Sequence, residues 1–267
     1  MIFLPPPPPR PTVTHSNITV SAPTGFRPLH LDLHVPAGTG PFPVVLWVHG
    51  GGWQEGSRVW LPDSIAPFGF YERLLGRGYA VADVDYRLAF EAQYPAQLTD
   101  VQAAIRWLRH YAERLNLDPA RFATLGESAG GHLAAMAGLL GDGDTAVQAV
   151  VNWYGVADFT DLRDLDDPFT SLAVLLGGPI NGRLDFARSA SPVHRVHPGA
   201  PPLLNMHGTV DEVVPYAQSE RLAEALRSHG VRCDLYPVDG AGHCFVGCPD
   251  IGALIDASAD FLDDVLK

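Results

Sequence analysis

At 267 residues, with 46% hydrophobic and 18% charged side chains, the chain can bury a sizeable core without disulfide or metal staples. A formal net charge of −12 and a pI near 5.2 argue against nucleic acid as a partner, because such binding rests on Lys and Arg meeting phosphates. No stretch approaches the roughly 18 apolar residues of a membrane span, and Met1–Leu4 followed by prolines lacks the basic and apolar regions of a signal peptide, so a cytoplasmic location with no membrane partner is expected.

The chain opens on a proline-rich arm, 1–16, whose run from Pro5 to Pro11 favours extended polyproline II. One catalytic domain is expected over 17–267. Asn17–Ala22 reads as a strand. In Leu29–Val35, His30, Asp32 and His34 alternate with leucines and Val35, a period of two that predicts a strand with its polar side chains facing water. His30 and His34 share a face but lack a third ligand candidate, so no metal is expected there. Pro43–Val48 is apolar throughout, as in a strand covered on both faces, and it runs into His49-Gly50-Gly51-Gly52-Trp53. A helix over Phe70–Arg77 stops at Gly78, and Tyr79–Asp85 is a second buried strand. The spacing of Val101, Ala104, Ile105, Leu108, Tyr111 and Leu115 predicts an amphipathic helix over Leu98–Leu115.

Arg121–Leu125 is a short strand entering Gly126-Glu127-Ser128-Ala129-Gly130, and the helix after it, about 132–140, is almost wholly apolar. Beyond a strand at Ala149–Tyr154, residues 158–197 break the alternation and read as an insertion over the sheet. Its Asp158, Asp161, Asp164, Asp166 and Asp167 are expected on a solvated face. Strands at Pro202–Met206 and Cys233–Val238 and helices at Ser219–Ser228 and Ile251–Val265 complete the chain. Strands alternating with helices imply an α/β fold, a mostly parallel sheet covered on both sides. The three cysteines, Cys233, Cys244 and Cys248, form no metal spacing and an odd set; Cys244 and Cys248 could bridge a short loop, with free thiols the favoured reading.

The sharpest chemical signal is G-x-S-x-G at 126–130, set between a buried strand and a helix. The chain must reverse there within a few residues, and only small neighbours let a serine stand at the tip. A serine hydroxyl needs a base within hydrogen-bond reach, and in this fold order an acid and then a histidine follow it. Asp211 and His243 each sit in a loop after a strand, the edge at which open α/β sheets bind ligands. Glu212 and Asp239 compete with Asp211, and His207 competes with His243, although His207 fits better as a support of the acid loop; His49 and His132 read as structural. The three glycines at 50–52 suit a loop whose amides stabilise a developing oxyanion, with Gly51, Gly52 and Ala129 as donors. Trp53 directly follows and is expected to face the substrate pocket. Trp60 and Phe68–Tyr71 are candidates for the entrance, with ordinary core as an equal alternative for the latter.

With HGGGW at 49–53, DYRL at 85–88, YPAQLTDVQAAIRWLR at 94–109, GESAGGHLA at 126–134 and DEVVP at 211–215, the sequence resembles the hormone-sensitive-lipase-like and feruloyl/acetyl-xylan-esterase-like branches of the α/β-hydrolase superfamily. The resemblance covers roughly 17–265. It implies an α/β-hydrolase fold, a mostly parallel eight-stranded sheet flanked by helices with a small insertion over the active site. It also implies no cofactor, carboxylic-ester hydrolysis, and the site assignments above. Ala89-Phe90 after DYRL, and an N-terminal region short for a two-helix cap, favour the feruloyl/acetyl-xylan-like branch.

The expected function is therefore a serine carboxylesterase acting on short-chain or aromatic acyl esters of small molecules through an acyl-enzyme on Ser128. An arylformamidase or a peptidase would use the same residues, and a non-catalytic binding module is the remaining alternative.

Overall fold

The computed structural model describes residues 14–267, so the proline run and most of the 1–16 arm lie outside the described residues. His15 and Ser16 do not belong to an arm; they open strand β1 (His15–Ser21). Seven further strands follow: β2 (Leu29–His34), β3 (Phe42–Val48), β4 (Ala80–Val84), β5 (Leu117–Glu127), β6 (Ala149–Trp153), β7 (Leu203–Gly208) and β8 (Cys233–Val238). They form one eight-stranded sheet in the order β1-β2-β4-β3-β5-β6-β7-β8. The pairs involving β2 are antiparallel, and all the others are parallel.

The parallel part is sandwiched between helices, and β3 shows how. Val44, Leu46 and Val48 enter one apolar cluster, Val45 and Trp47 the other, because successive side chains of a strand point to opposite faces. The first cluster is covered by α2 (Ala96–His110), α3 (Ala129–Leu140) and α6 (Ala217–Ser228); the second by α1 (Phe70–Gly76) and α7 (Ile251–Leu266). The strands therefore read as continuous apolar runs, since neither face meets water.

Three expectations need correction. The polar side chains of β2 do not all face water: Asp32 and His34 are buried, His34 against Asp83 at 3.1 Å and against the Tyr71 ring at 4.6 Å. The alternation was right, but α1 covers what would otherwise be the wet face. The helix expected over Leu98–Leu115 stops at His110, with a separate turn at Glu113–Leu115, and Asn116 adopts φ +58° as the chain swings into β5. Within the 158–197 insertion, which carries α4 (Ser171–Leu176) and α5 (Leu184–Ser189), Asp158 is buried. Its Oδ1 accepts the Thr160 N–H and hydroxyl, a local turn cap that a count of acidic residues does not reveal. Among the described residues no cluster of His, Cys, Asp and Glu could hold a metal ion, and no helix is long and apolar enough to cross a membrane.

Candidate active site

Ser128 stands between the end of β5 and the first turn of α3, with φ +53° and ψ −119°. A side chain costs energy in that region, and the strain is held by the Ser128 N–H donating to the Trp153 carbonyl at 2.9 Å and by its own carbonyl accepting the His132 N–H at 3.0 Å. The small residues around it are a steric requirement. A Cβ on Gly130 would lie 2.0 Å from the Val48 carbonyl oxygen, so the helix can only approach β3 this closely without one.

Asp211 and His243 follow β7 and β8, at the same carboxyl edge of the sheet. His243 Nε2 is 3.0 Å from Ser128 Oγ, and its Nδ1 is 2.7 Å from Asp211 Oδ2. Asp211 Oδ1 accepts the N–H groups of Val213 and Val214 at 2.8 and 2.9 Å. Burial alone would raise this carboxyl. Hydrogen bonds from His207 and His243, the charge on His243 and the Val214 N–H outweigh it and hold Asp211 well below the usual carboxylate range. His207 is buried, with Nε2 2.8 Å from the Val214 carbonyl, and so braces the acid loop without reaching Ser128 as the base. Among the described residues, the carboxylate that hydrogen-bonds His243 is Asp211, and neither Glu212 nor Asp239 hydrogen-bonds or ion-pairs with it.

A cavity of about 370 Å³ opens on Ser128. Gly52, Trp53 and Ala129 line it together with Val156, Leu162 and Leu172 from the insertion and its approach, and Val213 to Pro215 from the acid loop. Gly51 does not line it; its carbonyl accepts the Gln54 and Glu55 N–H groups in the turn that carries the loop onward. Trp53 lies in the cavity wall. Phe70 and Tyr71 instead pack with Trp47 and Trp153 in the opposite apolar cluster, and Trp60 does not line the cavity, so none of the three forms its entrance.

The sequence reading passed over Glu127. It is buried, and its Oε1 accepts the Gly50 N–H at 2.7 Å, tying the glycine loop to the residue beside Ser128. A Cβ on Gly50 would sit 2.0 Å from that oxygen. Burial pushes the Glu127 carboxyl up to about 7 against the lowering pull of His243 and the Gly50 N–H. The signal for it in the sequence is an acidic side chain at the end of the 122–126 stretch, which carries no other charge. Burial likewise lowers His49 and His132 to about 4, so both are neutral imidazoles at pH 7. His49 stacks on Tyr86 at 4.2 Å, and its Nδ1 lies 2.8 Å from the Gly50 carbonyl oxygen.

The mostly parallel sheet with helices on both faces, built around the 11-residue strand β5, is shared with known proteins. The BD-FAE family model matches residues 31–226. The chain belongs to the BD-FAE family. Esterase LipC of Mycobacterium tuberculosis is 34% identical over 222 residues, covering 78% of this chain and 54% of that protein. The chain thus spans about half the length of the curated relatives it matches. A truncated carbohydrate esterase from gut microbiota superposes with a TM-score of 0.78 at 28% identity, covering 94% of this chain and 95% of that one. A propionate-bound esterase from Thermogutta terrifontis gives 0.77 at 26% identity, with 96% of each chain covered. This BD-FAE chain therefore has the α/β-hydrolase fold of esterases.

Proposed function

We propose that this BD-FAE chain is a serine carboxylesterase that hydrolyses short-chain or aromatic acyl esters through an acyl-enzyme on Ser128. The observation that carries the reading is the continuous path from Ser128 Oγ to His243 Nε2 at 3.0 Å and from His243 Nδ1 to Asp211 at 2.7 Å, at the edge of a cavity. His243 takes the Ser128 proton as Oγ bonds to the ester carbonyl carbon, and the carbonyl electron pair becomes an oxyanion. When the oxyanion collapses, the ester C–O bond breaks and the protonated histidine delivers its proton to the departing alcohol. Water then repeats the sequence on the acyl-enzyme and releases the acid. Asp211 keeps the proton of the neutral histidine on Nδ1 and stabilises the imidazolium once it forms.

Gly52 and Ala129 are the preferred oxyanion donors, because both line the cavity with Ser128; Gly51 is the third candidate and serves chiefly to turn the loop. Support for a small-molecule ester substrate comes from the esterase relatives, and the propionate held by the Thermogutta protein is in keeping with short acyl groups. The deciding experiment uses nitrophenyl esters of graded chain length beside feruloyl esters and acetylated sugars. Wild type cleaves a subset, and Ser128→Ala cleaves none while keeping the wild-type circular dichroism and Tm. Retention of most of kcat by that variant overturns the nucleophile assignment. Efficient cleavage of amides or formamides in preference to esters transfers the reading to the peptidase or arylformamidase class.

A further inference from the structure

Trp53 is the residue through which the glycine loop leaves the cavity, and its conformation is unusual. Its φ is +59°, a region that disfavours a bulky side chain, yet the residue is almost fully buried. Two hydrogen bonds hold it there. Its carbonyl accepts the Ala89 N–H at 2.7 Å, and its indole Nε1–H donates to His132 Nδ1 at 3.3 Å.

The second bond fixes the state of His132. Its Nε2 lies 2.8 Å from the Ala190 carbonyl, which can only accept, so the proton is on Nε2. Nδ1 is then a bare acceptor, which suits the indole, a group that can only donate. Burial keeps this imidazole neutral down to about pH 4. Among the described residues its ring neighbours are Trp53 at 5.3 Å, Phe159 at 4.7 Å and Tyr94 at 6.2 Å, none of them charged. His132 also sits one turn into α3, with its own N–H on the Ser128 carbonyl. One side chain thus joins three separate pieces of the cavity: the nucleophile's helix, the glycine loop through Trp53, and the insertion through Ala190.

We propose that His132 is a positioning residue for ester hydrolysis, holding Trp53, and through it the adjacent Gly52 amide, in register with Ser128. The inference rests on the proposed roles of Ser128 and Gly52. Its physical basis is that an oxyanion donor is effective only when its N–H is already aimed where charge develops. A shift of about 1 Å in such a group costs on the order of 100-fold in rate. Without the indole bond, the strained Trp53 backbone is free to relax and turn its peptide neighbour away.

The test compares His132→Leu, which keeps volume but accepts nothing, His132→Gln, which restores an acceptor and a donor, Trp53→Phe, which keeps a ring but donates nothing, and the Leu/Phe double variant. Hydrolysis of nitrophenyl acetate and Tm are measured for each. The expected result is a drop in kcat of roughly ten- to a hundred-fold in both single variants, with KM changed less than about threefold. The double variant is no worse than the poorer single one, because the same bond is already lost, and the Gln variant recovers part of kcat. Effects that multiply in the double variant, a change confined to KM, or a fall in Tm with kcat intact each overturn the proposal. Should the Leu variant not fold, Trp53→Phe and His132→Gln decide it by the same split. Ser128→Ala separates the two levels: its survival as an active enzyme refutes the reading of the site, whereas a dead Ser128→Ala beside unaffected Trp53→Phe and His132→Leu variants refutes only the role of His132.

Discussion

At the scale of single residues, the site is governed by two buried carboxyls pushed in opposite directions. Asp211 receives hydrogen bonds from two histidines and two backbone amides and stays ionised; Glu127 receives the Gly50 amide but sits deeper among apolar atoms, and is raised to about 7. Replacing Asp211 by Asn keeps the shape but presents an N–H or a weaker acceptor to His243, favouring the wrong tautomer. By analogy with Ser-His-Asp proteases, kcat is expected to fall on the order of 10⁴-fold, measured on any ester the wild type cleaves. A larger loss in Asp239→Asn would identify a different acid. For Glu127 the sign follows from its raised value. Between the unfolded carboxyl near 4.5 and the folded one near 7, the native state binds more protons, so stability falls as pH rises through that window. Glu127→Gln has no such proton. Wild type is therefore expected to lose stability relative to the variant between about pH 4.5 and 7, by at most about 1.4 kcal/mol per pH unit. Parallel Tm-versus-pH curves for the two proteins would show that the carboxyl does not titrate there.

At the scale of elements, the decisive contact is α3 against β3 and β5. The helix is nearly all apolar because it is buried on every side, with only Leu140 partly exposed. It can lie this close because Gly130 leaves room for the Val48 and His49 carbonyls, which a Cβ would meet at 2.0 and 2.4 Å. Those atoms are backbone and cannot swing aside. Gly130→Ala should therefore displace the start of α3 and destabilise the fold by about 3 kcal/mol, read as a lower urea midpoint at unchanged m. Because Ala129 opens that same helix, activity should fall further than the folded fraction does. An alanine variant of wild-type stability would show that the helix start adapts without strain.

At the scale of the whole molecule, the cavity is walled by parts distant in sequence: the glycine loop, the insertion and the acid loop. Trp53 is buried in its wall, while Phe169 at 87% and Val213 at 67% exposure stand at the surface of the two segments that frame it. On the proposed function, the Trp53 wall is assigned to the acyl side of the cavity. Acetyl to hexanoyl esters are expected to give the highest kcat/KM, with a steep decline by twelve carbons. An optimum at twelve carbons or longer refutes the narrow-wall argument. The net charge of −12 should disfavour anionic esters at low salt, an effect that screening removes beyond roughly 8–10 Å at physiological ionic strength.

The sequence alone determined the alternation of strands and helices and the identities of Ser128, Asp211 and His243 as residues that would meet. These features are local: apolar runs bounded by glycine, a turn that tolerates only small neighbours, and polar groups just past strand ends. It failed where a distant element decides the environment. Asp32 and His34 alternate like solvent-facing residues but are covered by Tyr71 and Arg58, and of the two readings left open for Phe70 and Tyr71, entrance or core, packing against Trp47 and Trp153 gives core. Asp158 is withdrawn from solvent by a turn. Glu127 and His132 owe their states to burial and to partners far along the chain: Gly50, 77 residues from Glu127, and Trp53 and Ala190, 79 and 58 residues from His132. Periodicity reports which side a residue faces. What waits on that side, and hence whether a carboxyl is charged or an imidazole can accept, is set only when the chain closes on itself.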